Sequence, residues 1–440
     1  MKKIIAGVVV ILIMAGIFAP FVNGLVLEKM ISRAENDLNQ MYADTGSGVT
    51  VEVLNYDRGF SSTKIEWRLK LGNLAAIYGF DEILLVDRAK HGLTGVVSRT
   101  SLEKNQWFMD LLNDSLAGKN PLHISTRYTF TGNIVSTIDL DAFSLLAENE
   151  TVDFRPARIV TEFNEGFNHL LSKATWEGLS MGNKARIDGF SFESDLEKIS
   201  TYIWEGVIEY SIDNIRIDDR EQNLELTKFK GDYFLDFDRE QSKLFIGGEV
   251  GFADYASGGE KINDAFIRID VNNLDARGYE EFMELYTGMV QSALDYMGAA
   301  REDSGKTEKA VKDHMITAGF QMIAAYEKFL KTGLEIKISD LQAQLPQGKI
   351  NGRLELKLNR DITFAQLALI ATQPGLAFEI LSLQSDFSFP AQLAGDDRRL
   401  VSPVYPGMQI GLFTVDGENL VHRAQIENGK LFLNGQEVIL

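Results

Sequence analysis

The sequence predicts a mainly β protein of the α+β type. An N-terminal transmembrane helix leads into a large antiparallel sheet body, curved or groove-like, with one helical hairpin inserted. Three observations predict this. An uncharged run at residues 4–27 follows Lys2 and Lys3. Most of the remaining chain alternates apolar and polar residues, the period of a strand with one dry face and one wet face. Helical spacing interrupts that alternation at length only once, over about residues 278–331.

Taken in order, residues 1–3 form a cytoplasmic tail and residues 4–27 the anchor. As a helix rising ~1.5 Å per residue the run would be roughly 36 Å long, sufficient for a hydrocarbon core of about 30 Å. A cleaved signal peptide has a shorter apolar region of about 7–15 residues. Val22-Asn23-Gly24 makes only a weak cleavage site, and Pro20 after Ala19 spoils the neater one. Lys29 and Arg33 nearly balance the N-terminal lysines, so the short tail decides for a cytoplasmic N-terminus. Residues 28–440 are then the periplasmic, β-rich domain.

Met30, Ala34, Leu38 and Met41 recur at helical spacing and continue the first helix, until Thr45-Gly46-Ser47-Gly48 breaks it. Strands follow. Val49, Val51 and Val53 alternate with polar residues, as do Ile65, Trp67, Leu69 and Leu71. The pattern returns at Ile208 to Ile212, Tyr233 to Phe237, Ile267 to Val271, Leu334 to Ile338 and Leu354 to Leu358. Gly247-Gly248, Gly258-Gly259, Asn272-Asn273 and Asn351-Gly352 supply joints. Strands with one wet face suit antiparallel sheet. In the hairpin, Phe282, Leu285, Met289, Ala293 and Met297 make one stripe; Val311, Met315, Ala318, Met322, Tyr326 and Phe329 make the other. The charged stretch 301–306 joins them. Such stripes are expected to pack on the sheet. Shorter helices are predicted over 105–116 and 158–171.

Composition narrows the function. With 45% hydrophobic and 24% charged residues the chain is a folded protein. Without Lys2 and Lys3, 42 basic residues face 63 acidic ones, a charge of −21. Such a body repels nucleic acid and does not adhere broadly to anionic headgroups. The absence of cysteine excludes thiolate metal sites, a cysteine nucleophile and disulfides. Phosphate loops, nucleophile elbows and zinc-protease motifs are missing. His91, His123, His169, His314 and His422 are scattered, and the acidic clusters at 218–221 and 236–240 lack calcium-loop spacing. No catalytic residue, cofactor or metal is therefore expected.

Four short stretches carry a resemblance. Tyr56-Asp57-Arg58-Gly59-Phe60-Ser61-Ser62 is similar to a Tyr-x-Arg-Gly-x-Phe-Ser-Ser hallmark with one residue missing between Gly and Phe. His91-Gly92-Leu93 is similar to a His-Gly-Pro, with Leu in place of Pro. Residues 427–436, closing on Asn434-Gly435-Gln436, are similar to a turn–strand–turn, and residues 266–285 are similar to a segment that precedes helices. On these stretches the chain resembles the YdgA/YihF-like family of inner-membrane-anchored bacterial envelope proteins, a domain of unknown function (DUF945). The resemblance implies an inner-membrane, single-pass protein with its body in the periplasm. It carries over no active-site residues.

Read physically, Gly59 permits a tight turn after the first strand, Arg58 pins that turn, and Ser61 and Ser62 close the next one. This structural role is preferred to a binding site. His91-Gly92 is read likewise, with a partner-facing loop histidine as the alternative. The leading functional expectation is a non-enzymatic envelope protein that binds lipid or another apolar component, anchored to the bilayer through residues 4–27. The alternatives are a self-associating scaffold, a homodimer through the helical hairpin, and an envelope hydrolase.

Overall fold

In the computed structural model, residues 2–44, 48–129, 131–147, 150–218, 223–300, 319, 326–393 and 411–438 are described. Side chains are described except at 2–21, 44, 73, 76, 77, 147, 291–300, 367, 368, 371 and 374. The chain divides into two compact units. The first comprises residues 1–182, 191–203 and 286–315; the second comprises residues 183–190, 204–285 and 316–440.

The first unit opens with α1 (Lys2–Asp44), one uninterrupted helix. The predicted continuation of the anchor to Met41 is thus helical. Most of the predicted anchor's side chains lie outside the described residues; among those described, no helix is long and apolar enough to cross a membrane. Next come β1 (Thr50–Arg58), β2 (Ser62–Lys70), the one-turn α2 (Ala75–Tyr78), β3 (Glu82–His91), β4 (Gly95–Ser101) and α3 (Gln106–Ser115). Then follow β5 (Leu122–Thr129), β6 (Ile134–Leu140), β7 (Phe143–Ala147), β8 (Glu150–Phe154), β9 (Ala157–Phe163) and β10 (His169–Met181). All pairings are antiparallel, in the order β1-β2-β3-β4-β5-β6-β9-β10, with β8 continuing the register of β9 along the same edge of β10 and β7 continuing that of β6 beside β8.

The helix predicted over 158–171 is instead β9, a turn and the start of β10. Ile159, Val160 and Thr161 are β-branched and suit a pleated strand. Partners on both sides, β6 and β10, satisfy the backbone of β9. The turn is closed by Asn164 Oδ1, which accepts from the Asn168 and His169 N–H groups.

The core of this unit lies under α1. Leu27 and Ile31 of the helix are buried against Ile65 and Trp67 of β2, Ala89 of β3, Val96 of β4 and Tyr128 of β5. Each buried aliphatic side chain of this kind stabilises by about 2 kcal/mol. A second cluster sets Phe108 and Leu112 of α3 on Leu102, Ile83 and Ile124.

The strand β11 (Ala185–Lys198) has residues in both units. The second unit then runs β12 (Trp204–Asp218), β13 (Asn223–Asp238), β14 (Lys243–Ser257), β15 (Glu260–Asp275), the start of α4 (Ala276–Ala300), whose residues from Tyr286 belong to the first unit, β16 (Glu335–Leu345) and β17 (Gly348–Leu358). It ends with α5 (Phe364–Thr372), α6 (Ala377–Ile380), β18 (Leu381–Pro390), β19 (Thr414–Asp416), β20 (Asn419–Glu427), β21 (Lys430–Leu433) and β22 (Gln436–Val438). From β12 to β18 each strand pairs antiparallel with the next, and β20, β21 and β22 continue beside β18. Every alternating stretch predicted as a strand falls in one, save that Val49, Leu71 and Leu334 lie one residue beyond their strand ends. The first arm of the predicted hairpin is α4; Val311, Met315, Ala318, Met322, His314 and the charged joint lie outside the described residues. The sequence reading overlooked α5, whose start is fixed by a capping box between Thr363 and Gln366.

Candidate functional site

Eight of the ten motif residues gather at one end of the β2–β3 pair, where Tyr56, Arg58, His91 and Gly92 meet the stretch of α1 from Asn23 to Glu28. The turn 59–61 joins β1 to β2, and the turn 92–94 joins β3 to β4. Gly59 N–H donates to the Ser62 carbonyl and Gly92 N–H to the Gly95 carbonyl, 2.8 Å each, so both hairpins close tightly. The register of β2 on β3, Ser62 opposite Lys90, brings the two turns to the same end of the sheet. His91, at the end of β3, is buried rather than exposed on a loop. Its Nε2 lies 2.8 Å from Thr63 Oγ1, and its Nδ1 faces the Phe60 carbonyl at 3.4 Å. Because a carbonyl only accepts, a proton on Nδ1 with Thr63 donating to Nε2 satisfies the ring.

The helix meets this arrangement at Gly24. A Cβ there would stand 2.5 Å from His91 Cε1, so the approach of α1 requires glycine. The buried Asn23 donates its Nδ2–H to the Gly92 carbonyl at 2.6 Å, and Tyr56 Oη donates to the Gly24 carbonyl at 3.3 Å. Arg58 Nη1 reaches Glu28 Oε2 at 3.1 Å. This is a half-exposed pair that contributes about 0–1 kcal/mol. Arg58 thus pins the helix, through a carboxylate, rather than the turn alone. Ser61 contributes its carbonyl to the His91 N–H, 2.9 Å. Farther along, Asn39 bonds both the N–H and the carbonyl of Val51, 2.7 Å each, and Glu35 accepts from the Val53 N–H. The helix therefore occupies the outer edge of β1, which would otherwise offer unpaired strand groups.

Asp87, in the middle of the same face, is buried. It accepts from Trp67 Nε1 at 2.9 Å and from the Thr100 hydroxyl. Burial pushes its carboxyl above the usual range, with the Thr100, Trp67 and Ser98 side chains opposing. Burial likewise pushes the Tyr128 phenol up. Sequence reasoning missed Asp87; a lone acid within an apolar-alternating strand was its only signal.

The remaining motif residues, Asn434 and Gly435, lie in the second unit. They form the two-residue turn between β21 and β22 with positive φ values of 49° and 82°, the backbone form that Asn-Gly favours in hairpins. Asn434 also accepts from the Arg423 N–H at 2.9 Å and donates to the Gly411 carbonyl at 2.8 Å. The preceding Asn428-Gly429 turn has φ values of 51° and 74°. His422, nearby, lies 2.8 Å from Ser385 Oγ, but its second ring nitrogen meets the Leu412 carbonyl at 2.9 Å rather than a carboxylate. Ser385 is buried. The arrangement ties β18 to β20 and lacks the layout of a nucleophile with its oriented base. Among the described residues, no three of His, Asp and Glu stand together as a metal-ligand set.

The fourth motif stretch builds something different. Asn273 (φ 60°) donates to the Gly333 carbonyl at 3.0 Å. Asp275 accepts from the Gly278 N–H at 2.9 Å and so caps α4. Burial works to raise the Asp275 pKa, but the Gly278 N–H and the Lys243 ammonium hold it below the usual value. Thus fixed, α4 leaves a pocket of about 530 Å³ against the sheet. Val271 and Leu274 of β15 and Ile336 of β16 form its floor; Tyr279 and Phe282 of α4 and Phe329 form its wall. Phe282 packs against Tyr326 and Phe329 with ring centroids 5.1 and 5.0 Å apart. Phe364, at the start of α5, also borders the pocket and is half exposed. The lining is almost wholly apolar, and the volume is in the range of small-molecule sites, about 300–1,000 Å³. The Tyr279 phenol, pushed up by burial, stays neutral; Tyr233 beside it is raised to about 12 by burial and by Tyr279. The sequence reading placed Phe282, Tyr326 and Phe329 on stripes expected to pack on the sheet. They pack against one another and border the pocket.

The whole chain, residues 1–440, matches a family described as bacterial protein of unknown function (DUF945), and the chain belongs to that family. This agrees with the resemblance carried by the four motifs. No curated protein and no solved structure matches it.

Proposed function

We propose that this protein is a bilayer-tethered, non-enzymatic binding protein of the periplasmic face of the inner membrane. Its second unit holds an apolar ligand, the acyl portion of a lipid or a molecule of similar character, in the pocket under α4. The observation that carries this reading is the pocket itself: about 530 Å³ bordered almost wholly by apolar surface. A hollow of that size loses dispersion contacts and retains only poorly bonded water unless something apolar fills it. The lining suits a hydrocarbon chain better than an ionised head group, for which its residues offer no cation. The groove-like body expected from the sequence corresponds in this reading to the space between α4 and β15–β16.

The tether is supported by the uncharged run at residues 4–27 and by the continuity of α1 through it. The motif residues around Asn23 and Gly24 then act as a clamp that fixes the first unit to the helix where the run ends. Native mass spectrometry of the full chain, purified in mild detergent, tests the ligand. Lipid adducts that persist in the wild type and vanish in Phe282→Asp, with circular dichroism unchanged, support the pocket. Adducts identical in both proteins place the lipid elsewhere, and bare protein in both removes the proposal.

A further inference from the structure

The two turns of the clamp carry apolar side chains that the turns themselves do not need. Phe60 is 55% exposed and Leu93 is 66% exposed. Both hairpins are closed by backbone bonds, and such positions are ordinarily filled by Gly, Asn, Asp or Ser. Between them stands the turn of α1 whose Asn23 and Gly24 are buried, while its other side presents Val22, 51% exposed, and Leu25, 44% exposed. Four apolar side chains thus lie at one level along the helix. Directly before that level is the uncharged run that starts at Ile4; directly after it come the first charges, Glu28 and Lys29.

We propose that the 59–61 and 92–94 turns are seated in the interfacial layer of the lipid bilayer beside α1, so that Phe60 and Leu93 and the helix give the first unit three points of membrane contact. The inference rests on the anchor reading of residues 4–27 and adds to it a fixed orientation of the unit. The bilayer is the occupant because the patch is continuous with the uncharged helix and rigidly joined to it. Asn23 Nδ2 bonds the Gly92 carbonyl, and the His91 ring lies against Gly24. A helix leaving the bilayer at this level carries both tips to the headgroup and acyl boundary, where aromatic and aliphatic side chains are favoured. The acidic body, by contrast, gains nothing from anionic headgroups, so contact falls to the uncharged tips.

The chain has no cysteine, so single labels are clean. Full-length Phe60→Cys, Leu93→Cys and Asp141→Cys are each labelled with a polarity-sensitive fluorophore and reconstituted into phosphatidylcholine vesicles. Asp141 is exposed and lies at the far end of the same strands, since Leu122 pairs with Leu140 while Gly95 pairs with Thr129. The separation is ~23 Å at about 3.3 Å per residue. The expected result is quenching by lipids spin-labelled near the headgroup that is at least twofold stronger at positions 60 and 93 than at 141. Equal, weak quenching at all three positions, with the protein still retained after an alkaline wash, would overturn the seat and leave the anchor standing. Release of the protein by the alkaline wash would overturn the anchor reading and the seat together.

Discussion

At Gly24 the absence of a side chain sets how closely α1 approaches β3. A leucine there must displace the buried His91 ring, so Gly24→Leu is expected to destabilise the first unit by about 1–3 kcal/mol, as overpacking usually does, read as a lowered denaturation midpoint. Asn39 works by chemistry rather than size, since it satisfies both backbone groups of Val51. Asn39→Ala should cost about 1–3 kcal/mol for the groups left without it and should raise hydrogen exchange at the Val51 amide. Asp87 adds a pH dependence. Its folded pKa is raised, so its stabilising contribution is whole below the pKa of the unfolded chain and fades as pH rises through the folded value. Asp87→Asn, which cannot ionise, should therefore gain stability relative to the wild type between pH 4 and pH 8. A constant difference across that range would contradict the assignment.

Helix and sheet explain each other at the edge strand. Two polar side chains of α1, Glu35 and Asn39, take the place of a neighbouring strand beside β1, which blocks pairing of that edge with another chain. The closing hairpins use the other local device, two Asn-Gly turns in the left-handed region. Asn434→Val puts a β-branched residue at φ 49° and removes the side-chain bonds to Arg423, Gly411 and Leu412, so the last strands should lose about 1–3 kcal/mol and become the first segment cut in limited proteolysis. Elements of this kind were largely legible in the sequence. Alternation is a local property, and Val51, Ile65, Ile208 and Leu354 all fall in strands. The error at 158–171 arose because Ile159, Val160, Phe163 and Leu170 fit both a helical stripe and two short strands, and only pairing with β6 and β10 decides between them. The overlooked α5 is apolar nearly throughout and so shows neither period.

Across the molecule, what joins distant segments was least legible. The Tyr56–Ser62 and His91-Gly92 motifs could be read one at a time, but their meeting point, Asn23 and Gly24, is 69 positions from Gly92 and carries no local signal. The pocket was hidden for a different reason. Phe282, Tyr326 and Phe329 read as ordinary core, and whether three rings fill a space or hold it open depends on how α4 is set by Asp275 and Asn273. Those two residues tie its start to β15 and to the Gly333 carbonyl. We propose that this space receives an acyl chain. Full-length protein in vesicles containing a lipid with a photoactivatable diazirine near its acyl terminus, irradiated and mapped by peptide mass spectrometry, tests it most directly. Adducts are expected on the peptides around Leu274 to Phe282 and Phe329 to Ile336, and are expected to be lost in Phe282→Asp. Adducts confined to α1 and the two clamp turns, with the pocket peptides unlabelled, would contradict it.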